Sequence, residues 1–285
     1  MKSLSRVPSG VLVVGSIGSV QFGSALAATL FAEIGPGGIV FLRLLFAALI
    51  LLVLWRPRPS EHSHSQLVLA AVFGLVLAGM NGCFYESLDR IPLGIAVALE
   101  FVGPMTVALL GSRRSADLFW VALAVVGILA LTRPSGHGLD GTGIALALIA
   151  GCFWGVYIVL NARLGRAFES GSGLALAMAV GAVVAAPLGI GSAGAELLHA
   201  QPLLLGACVG VLSSVIPYSF EVEALRRIAP PVFGVLMSLE PGMAALAGLF
   251  VLGQHLSPRA VAGIALVAVA SVGASRRGPE LPLPV

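Results

Sequence analysis

The chain is a succession of long apolar runs separated by short polar breaks. Ten runs can be drawn, at 11–31, 37–55, 66–87, 93–111, 117–132, 142–161, 173–191, 202–225, 231–251 and 258–275. A helix of about 20 apolar residues crosses roughly 30 Å of hydrocarbon, so each run has about the length of a membrane span. Apolar positions within the runs are continuous and do not alternate. This predicts helices and argues against the strands of a barrel. No break exceeds a dozen residues, which leaves no room for a soluble catalytic or nucleotide-binding domain.

Composition agrees with that pattern. Hydrophobic residues make up 58% of the chain and charged residues 10%, with a mean hydropathy of +1.02. No soluble core of this length would absorb so much apolar surface. The 36 glycines and 17 prolines do not weigh against membrane helices, where both are common.

The charges supply an orientation. If the N-terminus is inside, ten spans collect Lys2, Arg6, Arg56, Arg58, Arg113, Arg114, Arg163, Arg166, Arg226, Arg227, Arg276 and Arg277 on one side. Only Arg90, Arg133 and Arg259 remain on the other. The positive-inside rule then puts both termini in the cytoplasm. A missed or invented span would scramble the tally. The net charge of +3 therefore reports topology and gives no support to nucleic-acid binding. Lys2 and Arg6 ahead of Ala25-Leu26-Ala27 imitate a cleavable signal, but losing span 1 would spoil the alternation. The tail GPELPLPV reads as a short disordered end, and Cys83, Cys152 and Cys208 as small core filler.

One segment is written twice. Residues 86–111 and 223–248 align without a gap, 137 positions apart, matching Glu86, Leu88, Arg90, Ile91, Leu99, Pro104, Leu109 and Gly111 to Glu223, Leu225, Arg227, Ile228, Leu236, Pro241, Leu246 and Gly248. Spans 3 and 4 thus correspond to spans 8 and 9. Equivalents five spans apart face opposite ways across a membrane, so the expected fold is an all-α integral membrane protein of ten transmembrane helices in two inverted five-helix repeats, 1–136 and 137–285. Such repeats usually hold a substrate site near mid-membrane between the halves. Gln21-Phe22-Gly23 in span 1 and Phe153-Trp154-Gly155 in span 6 give a weaker echo.

The order of ten spans in two halves resembles the drug/metabolite transporter superfamily in its EamA-type branch. Within that branch the chain is similar to bacterial exporters of the threonine and homoserine type. The stretches that carry the resemblance are SVQFGSALAATLF (19–31), FLRLLFAAL (41–49), GMNGCFYESLDRIPLGIAVALEFVGPMTVALLGSRR (79–114), PYSFEVEAL (217–225) and FGVLMSLEPGMAAL (233–246). The resemblance implies an inner-membrane exporter of small neutral amino acids. It leaves the substrate open, because members of the superfamily move different metabolites.

Charged residues inside the spans mark the expected site. Glu100 lies eight residues past Pro92, about 12 Å into the membrane at 1.5 Å per residue, and Glu240 lies nine past Pro231 from the opposite side. A charge at the bilayer centre costs roughly 2.5–3.5 kcal/mol on insertion scales, so idle examples should be rare. Each carboxylate is a candidate for a substrate ammonium or for a transported proton; the alternative is a structural carboxylate bonded to a neighbouring helix. In the repeat frame Glu100 matches Met237, one turn before Glu240. Pro104 removes the amide that would bond the carbonyl of Glu100, and Pro241 does the same for Met237, so both spans should kink at matched depth.

Arg43, inside span 2, suits a substrate carboxylate; the alternatives are an ion pair with Glu100 or Glu240, or snorkelling outward. Glu221, after a kink at Pro217, is a candidate cavity or gate residue. Glu86 and Glu223 are better read as partners of nearby arginines. Gln21, Asn81, Tyr85, Trp154 and Tyr157 are candidates for shaping the pocket, though each could equally serve helix packing. Gly206 and Gly210 read as a close-packing pair.

Nothing in the sequence supports an enzyme, a metal or a cofactor. His62, His64, His137, His199 and His255 all fall in loops, and GLDGTG (138–143) lacks the strand–helix setting of a phosphate cradle. The expected partners are a small amino-acid substrate, the lipid bilayer and, as a candidate coupling ion, protons entering as substrate leaves; no obligatory protein partner is inferred. The alternatives are an exporter of another metabolite or drug, and a non-transporting membrane scaffold or receptor.

Overall fold

A computed structural model describes residues 7–110, 117–132, 139–168, 171–225, 227, 233 and 236–277. Lys2, Arg6, Gly111, Arg113, Arg114, Arg133, His137, Arg226, Ile228, Pro231 and the tail 278–285 lie outside the described residues, as do the side chains of Glu223, Arg276 and Arg277. Every regular element among the described residues is helical. In chain order they are α1 (Ser9–Ala28), α2 (Phe31–Trp55), α3 (His64–Leu88), α4 (Leu93–Glu100), α5 (Val102–Leu110), α6 (Asp117–Thr132), α7 (Gly141–Ala167), α8 (Ser172–Ala193), α9 (Ala200–Gly210), α10 (Ile216–Leu225), α11 (Glu240–Leu252) and α12 (Pro258–Arg277). Six helical stretches are long and apolar enough to cross a membrane, and four shorter apolar helices lie at Leu93–Val107, Ala122–Leu131, Glu240–Leu252 and Pro258–Gly273. The chain is an all-helical, multi-pass membrane protein.

Local chemistry sets several helix boundaries. At α3, Ser63 accepts from the Gln66 amide while the Gln66 side chain accepts from the Ser63 amide at 2.8 Å, a reciprocal cap. The Asp140 carboxylate accepts from the Gly143 amide at 2.7 Å and starts α7. Gly35 has φ +67°, a conformation that favours glycine, and separates one turn at 31–34 from the main helix that Pro36 opens. That turn lies ahead of the start expected at 37. The seventh helix runs to Ala167, past the limit expected at 161, because its last turns are exposed and polar enough to continue beyond the apolar run.

The helix ends fall into two sets. In one, the Arg227 guanidinium donates to the Val7 carbonyl at 2.9 Å, Gln66 donates to the Ala167 carbonyl, His62 lies edge-on to Phe168, and Gly171 meets Trp55. In the other, Glu33 lies beside Glu196 and His199, Gly143 meets Arg90 and Ile91, and the Leu93 amide donates to Gln254 Oε1 at 3.0 Å. Helices α1, α2, α3, α7 and α8 each run from one set to the other.

Packing is by close approach of small residues. The α2 helix packs on α8, α3 on α7 and α8, α1 on α10 and α11, α9 on α2, α4 on α7 and α11, and α6 on α12. Gly206 and Gly210 lie against Leu42 and Phe46, so the expected close-packing pair seats α9 on α2 beside Arg43. Gly127 and Gly263 each meet the other's carbonyl, at 2.9 Å from the position a Cβ would take. The cysteines depart from expectation: Cys83 is half-buried, but Cys152 and Cys208 are exposed on helix faces and do not fill the core.

Candidate functional site

A cavity of about 110 Å³ lies among α1, α2, α3, α4, α7, α10, α11 and the segment joining α9 to α10. A water needs on the order of 10–15 Å³ by the same measure, so several waters or one small solute would fit. Glu100, Glu221, Glu240 and Arg43 all line it, together with Gln21, Asn81, Trp154, Tyr157 and Pro217. Residues from nearly the whole length of the chain thus converge on one polar chamber.

Arg43 is held from two sides. Its Nη1 donates to the Tyr85 hydroxyl at 3.0 Å and its Nη2 to the Ser213 carbonyl at 2.9 Å. The guanidinium also lies 5.5 Å from the centre of the Tyr85 ring. The Ser213 carbonyl is available because Pro217, four residues on, has no amide to offer it. The chain there forms a single π-helical turn, Val211–Val215, before α10 resumes. Tyr85 is fully buried and does not line the cavity; it stands behind Arg43 as a support and does not shape the pocket itself. Among the described residues no carboxylate comes within ion-pair distance of Arg43, so it neither pairs with Glu100 or Glu240 nor snorkels outward. Its Nε has no partner.

The two central glutamates flank breaks in their helices. Glu100 is the last residue of α4; Phe101 interrupts the helix and α5 follows. Glu240 is the first residue of α11, after a turn at Ser238 and Leu239. In the repeat register Phe101 corresponds to Ser238, so the breaks coincide while the carboxylates fall on opposite sides of them. Glu100 is 8% exposed and Glu240 6%, and neither accepts a hydrogen bond among the described residues. Glu221 lines the same cavity, which gathers three carboxylates in one place. The carbonyl that Pro104 frees at Glu100 packs on Gly151, where a Cβ would come within 2.6 Å of it. Packing against protein, through a residue without a side chain, accommodates that acceptor.

Glu221 accepts from the Ser16 hydroxyl at 2.7 Å. Beyond this bond Leu12, Val13, Ile17 and Ala224 form a separate apolar cluster with Phe220, Leu236 and Met243, which plugs the space between α1 and the second half. Asn81 donates to the Leu77 carbonyl at 2.7 Å. Trp154 meets Phe101 edge-on, Tyr157 stacks on Phe73, and Tyr157 and Tyr218 lie close to one another at the cavity wall. Sequence reading missed Ser16, Ser24, Ser213 and Tyr218. Ser24 was accessible through its i+3 relation to Gln21, Ser213 through its place four residues before Pro217, and Tyr218 through its place in the stretch PYSFEVEAL; nothing in the sequence flagged Ser16.

Other candidates stay outside the chamber. Glu86 pairs with Arg90 at 2.7 Å on the exposed end of α3, as expected. His64 opens α3, where a loop position was expected, because Ser63 caps the helix just before it. Glu33, Glu196 and His199 bring three metal-ligand atoms within 4.8 Å of one another, but all three residues are exposed. A second hollow of about 500 Å³ between α5 and α7 is lined mainly by apolar residues and is not charged.

A multi-pass helical membrane protein that gathers buried carboxylates and a guanidinium around a cavity at helix breaks has the architecture of a membrane carrier. The EamA-like transporter family matches residues 141–276. The threonine/homoserine exporter RhtA of Salmonella typhimurium is 41% identical over 96% of this chain and 94% of its own length. The protein of that name from Escherichia coli K12 is 40% identical over 93% and 90%. A solved crystal structure with 17% identity covers 94% of this chain and 96% of its own at a TM-score of 0.61, a likeness of fold alone. The chain belongs to the EamA-like transporter family.

Proposed function

We propose that the protein is a secondary carrier that exports a small neutral amino acid of the threonine or homoserine type by alternating access. It would sit in a bacterial inner membrane with both termini in the cytoplasm. Ten helices cross, in two inverted five-helix repeats, 1–136 and 137–285, that rock around the central chamber. The packing supports this division: exchanging spans 1–5 with 6–10 turns the contact of span 3 with span 6 into that of span 8 with span 1, and leaves the pairs 2 with 7, 4 with 9 and 5 with 10 unchanged. The two sets of helix ends support the sides: Arg227 falls in one and Arg90 in the other, as the charge tally has them.

The observation that carries the function is the joint placement of Glu100, Glu240 and Arg43 on one cavity. An amino acid brings an ammonium and a carboxylate, and the chamber offers groups of both opposite signs. Arg43 orients the carboxylate, with Nε–H still unpartnered. The glutamates hold the ammonium and carry protons inward as substrate leaves. Their number exceeds that of the arginines, which suits a site that handles cations.

The test is uptake of radiolabelled threonine into inverted vesicles, comparing the parent with Glu100→Gln and Glu240→Gln. Each substitution should lower the initial rate at least about tenfold, the scale of one lost charged hydrogen bond. Unchanged, still pH-sensitive uptake in both would sink the reading.

A further inference from the structure

Three buried oxygens in the chamber have no partner: Gln21 Oε1, Ser24 Oγ and Ser213 Oγ. Gln21 and Ser213 are 2% exposed and Ser24 is fully buried, and all three residues line the cavity. Gln21 and Ser24 share one face of α1 at i and i+3. Ser213 comes to the same cavity from the π-helical turn and packs on α1 beside Ser24, since its Oγ lies 2.3 Å from where a Cβ on Gly23 would stand. The absence of that Cβ lets the serine sit against α1. The Ser213 carbonyl is also the acceptor for Arg43, so this cluster adjoins the guanidinium.

A buried oxygen without a partner is costly, so three together in one pocket ask for a ligand. Their chemistry selects its kind. The Gln21 oxygen only accepts, whereas each serine hydroxyl both donates and accepts. A carboxylate would be repelled by the Gln21 oxygen, and an ammonium would leave the serine donors unused. An alcohol, itself donor and acceptor, satisfies both kinds at once.

We propose that Gln21, Ser24 and Ser213 form a subsite for the side-chain hydroxyl of the substrate and set the carrier's preference for hydroxy amino acids. This rests on the amino-acid export reading above. The geometry divides the work: Arg43 takes the carboxylate end, the glutamates the ammonium, and the serine–glutamine cluster the side chain. A substrate of the same shape with a methyl in place of the hydroxyl would leave all three oxygens unpaired, which is the stronger form of discrimination.

The experiment is counterflow in liposomes with purified protein, using L-threonine and its near-isostere L-valine. The parent should move threonine at least about tenfold faster than valine. In the Ser24→Ala/Ser213→Ala double variant that ratio should fall to near unity with valine transport retained, which also reports an intact carrier. Ser24→Ala alone should lower the ratio several-fold, and serves if the double variant does not assemble. A parent that moves both amino acids equally, or variants that keep the parental ratio, would overturn the subsite while leaving amino-acid export standing. A parent that moves neither, nor any other amino acid, would overturn both.

Discussion

The guanidinium of Arg43 donates to the carbonyl of Ser213 at 2.9 Å, a carbonyl that Pro217 has released from its own helix. A proline in one half of the chain thereby fixes a cation in the other. Tyr85 supplies the second fixed point at 3.0 Å, and the π-helical turn carries Ser213 into reach. Lysine carries its three donors on one nitrogen, whereas Arg43 spreads its bonds over the separate nitrogens of a planar fork, so Arg43→Lys cannot span Tyr85 and Ser213 in the same geometry. Its threonine counterflow should fall to background with normal elution on size exclusion. Tyr85→Phe removes one bond to a charged group, worth about 1.5–3 kcal/mol, and should cost roughly tenfold or more in rate. Parental rates in both variants would remove Arg43 from the transport path.

The two glutamates should respond differently to neutralisation. Glu100 closes a helix at its C-terminal end, where the partial charge is negative; Glu240 opens one at its N-terminal end, where it is positive. Glutamine removes the ionised form of each, and only at Glu240 does the helix end favour that form. The expectation is a higher Tm in detergent for Glu100→Gln than for Glu240→Gln at the same pH. A difference of about 0.3–1 kcal/mol per helix end is the scale to look for. Equal or reversed Tm values would show that the breaks do not act as helix ends.

Much of this arrangement was legible in the sequence, and the reason is physical. A bilayer forbids idle charges, so Glu100, Glu240, Glu221 and Arg43 stood out against an apolar background, and all four line one cavity. Prolines at 104 and 241 marked the breaks because a missing amide leaves a helical carbonyl without its partner. Small hydroxyls were harder to see. A serine hydroxyl can bond its own helix or a neighbour, so Ser16 carries no mark until α10 is in place, and Ser24 and Ser213 are marked only by their spacing to Gln21 and Pro217. For Tyr85 the sequence leaves two roles open, pocket wall or helix packing, and only packing tells that the ring stands behind Arg43.

The contact of α4 and α5 with α7 leaves no room for even one methyl group. A Cβ on Gly103 would come 1.8 Å from the Gly151 carbonyl, and one on Gly151 would come 2.6 Å from the Glu100 carbonyl. Backbone lies on both sides, so neither clash is relieved by a side-chain rotation. Gly103→Ala should lower stability by about 1–3 kcal/mol and reduce the yield of folded protein. Gly82→Ala, where nothing lies within 4 Å, is the control and should match or exceed the parent in Tm. Equal Tm values for Gly103→Ala and the parent would mean the two helices are not in backbone contact.

The inverted arrangement makes a claim about sides that labelling can check. The turn at Pro59–Glu61 follows α2, and the turn at Gly194–Leu198 follows α8, its counterpart partner in packing. Helices α2 and α8 pack closely yet run in opposite directions, so their following turns should emerge on opposite faces. Ser60 and Ala195 are both exposed in those turns. In a background with Cys83, Cys152 and Cys208 replaced by serine, Ala195→Cys should react with a membrane-impermeant maleimide in intact cells, and Ser60→Cys only after the membrane is opened. Inverted vesicles should reverse the order. Labelling of both positions from one side would break the parity of the helices between them and the inverted repeat with it, whereas a clean swap of the two sides would keep the repeat and overturn the cytoplasmic termini.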